Sequence, residues 1–358
     1  MAKIDDYLKE LLDKKGSDLH IRAGEPPILR VNGRLTKSES PSLSSDDTKN
    51  VLFEILNEER KNIFTETREL DVAYTPQGWE TRFRVNIYWQ QNKVGAAIRA
   101  IPLKIPTVEE LELPIILKDI ALKPRGMILV TGPTGSGKST TLAAIVNHIN
   151  QSKRCNIITI EDPVEFIYKD DLASINQREL GVDTRSFAEA LKHVTREDPD
   201  IILVGELRDL ETISAAVTAA ETGQLVLTTL HTTDAVQTID RIIDVYPPEQ
   251  QTQIRAQLSM TIQAVLSQTL LIKADGKGRA VATELLIANT GVRSLIRTGK
   301  SHQIYSIIQG GGKFGMHTLD QSLLSLCRRG VVSYAEAIQK TSNPTEFEQR
   351  AQRMGVSL

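Results

Sequence analysis

Hydrophobic and polar positions follow two different rhythms along the chain. Up to about residue 101 the apolar residues come in short pieces. Ile4 to Leu12 has the spacing of an amphipathic helix, and strand-like runs occupy Asp18 to Arg22 and Ile28 to Leu35, with Asn32-Gly33 supplying a hairpin turn. A helix with a capping Asp is predicted from about Asp46 to Leu56, and further strands at Leu70 to Tyr74, Thr81 to Tyr88 and Val94 to Ile101. Residues 1–101 therefore read as an α+β module. Pro102 to Pro114 carries three prolines and no clear period, which predicts a linker, either stiff or hinged. From Gly126 the rhythm becomes strand–helix alternation. Met127 to Val130, Asn156 to Ile160, Ile201 to Val204 and Leu225 to Leu230 are β-rich, with helical stretches between them, so a parallel sheet of βαβ units is expected. Beyond about Pro247 the period turns helical, interrupted by a polar connector at Lys273 to Gly278. The division expected is thus a core over residues 115–272 and a helical C-terminal subdomain over 273–358.

At 358 residues the chain is long enough for two or three domains. Its net charge of −2 excludes a global basic field of the kind that marks many nucleic-acid binders, although a local patch remains open. No apolar run reaches the length of a membrane span, and the first residues lack the apolar centre of a signal peptide, so a cytoplasmic location is expected. Cys155 and Cys327 lie far apart and support neither a disulfide framework nor a four-cysteine zinc site.

The chemistry concentrates at the carboxyl ends of the predicted parallel strands, where open α/β sheets bind ligands. After the strand Met127 to Val130, Gly132-Pro133-Thr134-Gly135-Ser136-Gly137-Lys138-Ser139-Thr140 fills every position of the G-x-x-x-x-G-K-[ST] phosphate loop. A helix then carries Leu142, Ile145, Val146 and Ile149 on one face. Strand, loop and helix in this order set backbone N–H groups and the positive end of a helix dipole against phosphate oxygens. Lys138 is expected to reach the β- and γ-phosphates of ATP, and the Ser139 hydroxyl to join Mg²⁺. The strand ending at Ile160 runs into Glu161, Asp162 and Glu165, and the strand ending at Val204 runs into Glu206. One acid can bind the metal, directly or through water, while a second polarises the attacking water. Glu161 and Asp162 also suit a turn or a helix N-cap. His231, at the end of the fourth strand, is placed to sense the γ-phosphate by hydrogen bonding.

Four elements together resemble the secretion-type hexameric ATPases of type II secretion and type IV pili. They are the phosphate loop, the acidic box Thr159 to Phe166, the run Arg196 to Asp209 around Glu206, and the histidine box Thr222 to Thr232. Within that superfamily the sequence is most similar to the pilus retraction ATPases, on Gly16-Ser17-Asp18-Leu19-His20, Pro26 to Gly33 and Lys313 to Gln321. The large extra N-terminal domain and four-cysteine zinc element usual in extension and secretion members have no counterpart here. Gln224 stands where retraction ATPases carry a first histidine and can hydrogen-bond but not titrate. Gly291 to Thr298 keeps Arg293, Leu295, Ile296 and Arg297 of a helix motif but not its terminal acid.

The resemblance implies a RecA-like P-loop core behind a smaller PAS-like N-terminal domain, assembled as a homohexamer. It implies ATP hydrolysis that turns an inner-membrane platform protein and shortens the pilus, with peripheral membrane association through that platform. It also implies roles for Arg82, Arg84 and Arg99, which periodicity alone would leave on a solvated strand face, in neutralising the transferring phosphoryl group. Either Glu165 or Glu161 would activate water. Arg293 and Arg297, four apart on one predicted helix, are expected to share a face that meets a partner. Two alternatives stay open: a motor for pilus or pseudopilus assembly, and a nucleic-acid translocase or nucleotide switch on the same core.

Overall fold

A computed structural model describes residues 3–31, 33–79, 81–101, 104–341 and 343–355. Asn32 of the expected hairpin turn and Pro102 at the head of the expected linker lie outside the described residues. The chain forms two compact units, one comprising residues 1–104 with the segment Pro163–Ile167, the other Ile105–Asp162 with residues 168–358.

The first unit is a six-stranded antiparallel sheet with helices packed on it. Its elements are α1 (Lys3–Asp13), β1 (Asp18–Arg22), β2 (Ile28–Val31), β3 (Arg34–Lys37), α2 (Ser45–Phe53), α3 (Glu58–Thr67), β4 (Glu69–Tyr74), β5 (Phe83–Gln90) and β6 (Lys93–Ala100). The strands run in the order β3-β2-β1-β6-β5-β4. Alternation decides which face is buried: Phe83, Val85 and Ile87 of β5 point inward with Leu19 and Ile21 of β1, and Ile4, Leu8 and Leu11 of α1 close over them. Helix α2 begins at a capping box in which the Ser44 hydroxyl accepts from Asp47 N and the Asp47 carboxylate accepts from Ser44 N. Helix α3, whose only buried residue is Phe64, has too weak an apolar stripe to be read from the pattern.

The second unit holds α4 (Ile116–Ala121), β7 (Gly126–Thr131), α5 (Lys138–Ser152), β8 (Asn156–Glu161), β9 (Ser174–Glu179), α6 (Phe187–Val194), β10 (Ile201–Val204), α7 (Leu210–Thr222), β11 (Leu225–Leu230), α8 (Ala235–Asp244), α9 (Pro248–Thr261), β12 (Ile262–Ile272), β13 (Arg279–Ile287), α10 (Thr290–Arg297), α11 (Ile304–Gly310), α12 (Leu319–Arg328), α13 (Tyr334–Ala337) and α14 (Pro344–Arg353). Seven strands form one sheet in the order β13-β12-β7-β11-β10-β8-β9, parallel except for β13 at the edge. Strands β7, β10 and β11 are wholly buried, which is why apolar residues dominate them, the threonines Thr131, Thr228 and Thr229 being buried with the rest.

Helical period was expected from Pro247 onward, and the structure corrects this for residues 262–287. Helix α9 ends at Thr261, and β12 and β13 then form a long hairpin in register from Ala264↔Ile287 to Ile272↔Arg279. The polar stretch Lys273 to Gly278 is the turn of that hairpin, and β12 lies beside β7 as an interior strand of the sheet. A strand buried on both faces loses its period of two and cannot be told from a buried helix by pattern alone.

Candidate functional site

Sheet order sets the layout. The carboxyl ends of β7, β11, β10 and β8 lie along one edge and present, in that sequence, the phosphate loop, His231, Glu206 and Glu161. With neighbouring strands about 4.8 Å apart, β11 is one strand from the loop, β10 two and β8 three, or roughly 14 Å.

The loop has the features that phosphate binding requires. Gly132 (φ +141°) leaves no room for a side chain, since a Cβ there would stand 2.2 Å from the carbonyl oxygen of Gln268. Gly137 caps α5 in the left-handed region at φ +89° and supplies no side-chain acceptor, and no acid stands in the first turn. The first N–H groups of a 15-residue helix therefore remain available to an anion. Lys138 Nζ donates to the carbonyls of Gly132 at 2.8 Å and Pro133 at 3.2 Å, which draws the ammonium over the loop. Pro133, Thr134, Gly135 and Ser139 are exposed, Lys138 and Thr140 half-buried, and Ser136 buried.

Glu206 and His231, two separate expectations, form one hydrogen-bonded group. Nε2 of His231 stands 3.1 Å from Oε2 of Glu206. An ionised carboxylate only accepts, so Nε2 carries the hydrogen in that state. Oε1 of Glu206 is paired with Arg208. Only 15% of the Glu206 side chain is exposed, against 54% of His231 and 66% of Arg208, so the acid is held inside between two outward-facing bases. Sequence reasoning gave Arg208 no role. Glu161, the last residue of β8, accepts at Oε1 from the Thr159 hydroxyl at 2.7 Å and from Gln177 Nε2 at 3.3 Å. The acidic box is divided, for Glu165 falls in the segment that clusters with the first unit.

Gln224 sits at the amino end of β11, with the length of that strand between it and His231, and its Oε1 accepts from the Thr222 hydroxyl at 3.0 Å. It is therefore at the sheet edge opposite the phosphate loop of its own chain.

The arginines belong to the first unit. Arg84 and Arg99 are direct partners across β5 and β6, Arg99 faces Asp18 across β6 and β1, and Asp18 faces Arg30 across β1 and β2. One row over four strands thus carries three arginines and one acid. Arg99 Nε donates to Asp18 Oδ1 at 2.8 Å while 73% of its side chain stays exposed. Burial works to raise the Asp18 pKa, but hydrogen bonds from Ser17 and Arg99, with the charges of Arg99 and Arg30, outweigh it and hold the carboxyl below its ordinary range. Arg84 Nε lies 3.8 Å from Asp71. Arg82 precedes β5 and is half-buried. Asp18 and Arg30 were legible only as parts of a motif.

Among the described residues no group of three or more His, Cys, Asp or Glu side chains could hold a metal by itself, and no helix is long and apolar enough to cross a membrane.

A family model described as "Type II/IV secretion system protein" matches residues 2–308. The type IV pilus retraction ATPase PilT of Pseudomonas aeruginosa is 48% identical over 92% of this chain and 96% of its own length. A twitching motility protein of Neisseria gonorrhoeae is 47% identical over 88% of this chain and 84% of its own. Among solved structures, the pilus retraction motor PilT with bound ADP superimposes with a TM-score of 0.90 at 43% identity, covering 98% of this chain and 100% of that one. With an α/β unit of the same architecture and a family match across most of its length, the chain belongs to the type II/IV secretion system protein family.

Proposed function

We propose that this protein is an ATP-hydrolysing motor that powers type IV pilus retraction, working as a ring of six on the inner face of the cytoplasmic membrane and turning a platform protein there. The observation that carries this reading is the coincidence of a complete phosphate loop with a near-full-length likeness to retraction ATPases, one of them seen with ADP. In this reading Lys138 and the first N–H groups of α5 hold the phosphates, with Gly132 to Thr140 as the cradle.

Donor chemistry at the site fits Mg²⁺ held chiefly by phosphate, since the exposed hydroxyl of Ser139 at the start of α5 and the carboxylate of Glu206 beyond β10 are the protein donors that would join it. When bound, that ion would neutralise charge on the β- and γ-phosphate oxygens. Both oxygens of Glu206 are already engaged by Arg208 and His231, which favours an acid that orders water through its remaining lone pairs. His231 holds Glu206 through Nε2, so sensing of the γ-phosphate through that nitrogen would require the bond to Glu206 to open. Glu165 or Glu161 would polarise the attacking water, and Arg82, Arg99 and Arg84 would offset charge on the phosphoryl group in flight.

Deletion of the gene followed by counting surface pili tests the reading, because the assembly alternative predicts the reverse result. Cells lacking the protein should carry excess pili that do not shorten, and a chain with Lys138→Ala should fail to restore retraction. Bald cells would assign the motor to assembly, and unchanged pili with ATPase activity stimulated by DNA or RNA would assign it to translocation.

A further inference from the structure

We propose that Gln268, on β12, is a positioning residue of the nucleotide site, which sets the direction of a phosphate-facing N–H in the loop. The proposal rests on the reading of Gly132 to Thr140 as the phosphate cradle.

Strand β12 runs parallel to β7 with Ser267 in register with Thr131, and the two hydroxyls meet at 2.8 Å. The next residue, Gln268, therefore lies beside the loop as it leaves β7. It is 4% exposed, and both ends of its amide are used. Nε2 donates to the carbonyl oxygen of Ser136 at 2.7 Å, and Oε1 accepts from the Thr141 hydroxyl at 2.9 Å. Its own carbonyl oxygen fills the space that a side chain on Gly132 would need. One residue thus touches the loop near its start, near its end and one turn into α5.

The bond to Ser136 carries the consequence. In a trans peptide the C=O and the following N–H point in opposite directions. Drawing the Ser136 carbonyl into the protein toward Gln268 directs the Gly137 N–H outward, where the loop meets phosphate. Gly137 sits in the left-handed region, which would let this peptide rotate readily if nothing held it. A glutamine suits the position because one planar group there must donate on one side and accept on the other. Glutamate would set an acceptor against the Ser136 carbonyl, and an apolar side chain would leave both partners unsatisfied.

The experiment compares four full-length variants, Gln268→Met, Gln268→Glu, Thr141→Val and Lys138→Ala. Affinity for a fluorescent ADP analogue, KM for ATP and the thermal midpoint without nucleotide are measured for each. Methionine keeps the length and bulk of the side chain, so a mere packing role should leave affinity intact. We expect Gln268→Met and Gln268→Glu to weaken ADP binding about tenfold or more and to raise KM in parallel. Thr141→Val removes only the other arm of the amide and should stay within about threefold of the parent. Parent-like affinity in Gln268→Met, with or without a lower midpoint, overturns the proposal, as does an equal loss in Thr141→Val. Lys138→Ala separates the two levels: if it binds as well as the parent, the cradle reading fails, whereas loss in Lys138→Ala alone rejects only the role of Gln268.

Discussion

Glu284 shows how one residue can tie stability to pH. Its carboxyl, 3% exposed on β13, accepts from the N–H of Ala235 at 3.0 Å where α8 begins. Burial pushes its pKa up to about 7, with the charges of Asp234 and Asp320 adding to the rise and N–H bonds from Ala235 and Leu319 opposing it. Between the ordinary value near 4.5 and this raised one, the folded chain keeps a proton that the unfolded chain has released. The stabilisation is therefore complete below the unfolded pKa and is lost as pH rises through 7. Glutamine keeps the acceptor without the charge. Glu284→Gln should accordingly be more stable than the parent at pH 8, by on the order of 3 kcal/mol, and melt at a higher temperature, with the gap closing towards pH 5. Melting curves across that range check it, and a gap that does not change with pH would show that the carboxyl is not the titrating group.

At the scale of elements, helix α10 behaves differently from its sequence motif. Arg293 and Arg297 were expected to share a partner-facing surface. Arg297 is exposed, but Arg293 donates through one nitrogen to the carbonyls of Ser259 and Met260 at 2.7 and 2.8 Å and through the other to Gln263 Oε1 at 3.3 Å. It closes the C-terminal end of α9, where carbonyls lack partners within the helix. Arg293→Ala should cost about 1–3 kcal/mol and lower the thermal midpoint, while Arg297→Ala should stay within about 0.5 kcal/mol. Equal midpoints in the two variants would return Arg293 to the surface role. What could be read from sequence follows the same physics. The phosphate loop and the strands that lead to Glu161, Glu206 and His231 were legible because each is a short, mainly apolar run followed closely by polar or charged residues. Gln268 was not, because its strand is buried on both faces and carries no period. Nor was β9, whose residues Ser-Ile-Asn-Gln-Arg-Glu are mostly polar and gain strand geometry only by pairing with β8. The Glu206–His231 bond joins residues 25 apart in the chain, and only the adjacency of β10 and β11 brings them together.

At the scale of the whole molecule, the proposed role of Arg99 toward the transferring phosphoryl group can be assigned to one of two phosphate loops by experiment. Arg99 is held through Nε by Asp18, which leaves the outer nitrogens of its guanidinium turned away from that bond and most of the side chain exposed. Such an arginine is ready for a phosphate without further ordering, which lowers the entropic cost of using it. In a ring, each first unit could close over its own loop or its neighbour's, and head-to-tail contacts permit the second arrangement at every interface. Arg99→Ala and Lys138→Ala chains should each be inactive alone. If Arg99 serves the neighbouring loop, random co-assembly at equal amounts leaves roughly a quarter of interfaces with both groups intact, and ATPase activity should return. If it serves its own chain, no site in the mixture regains both. We expect recovery, because a site shared between subunits makes hydrolysis in one depend on the position of the next, which a motor acting in sequence around a ring requires. Mixed rings verified by mass that show no activity would assign Arg99 to its own subunit.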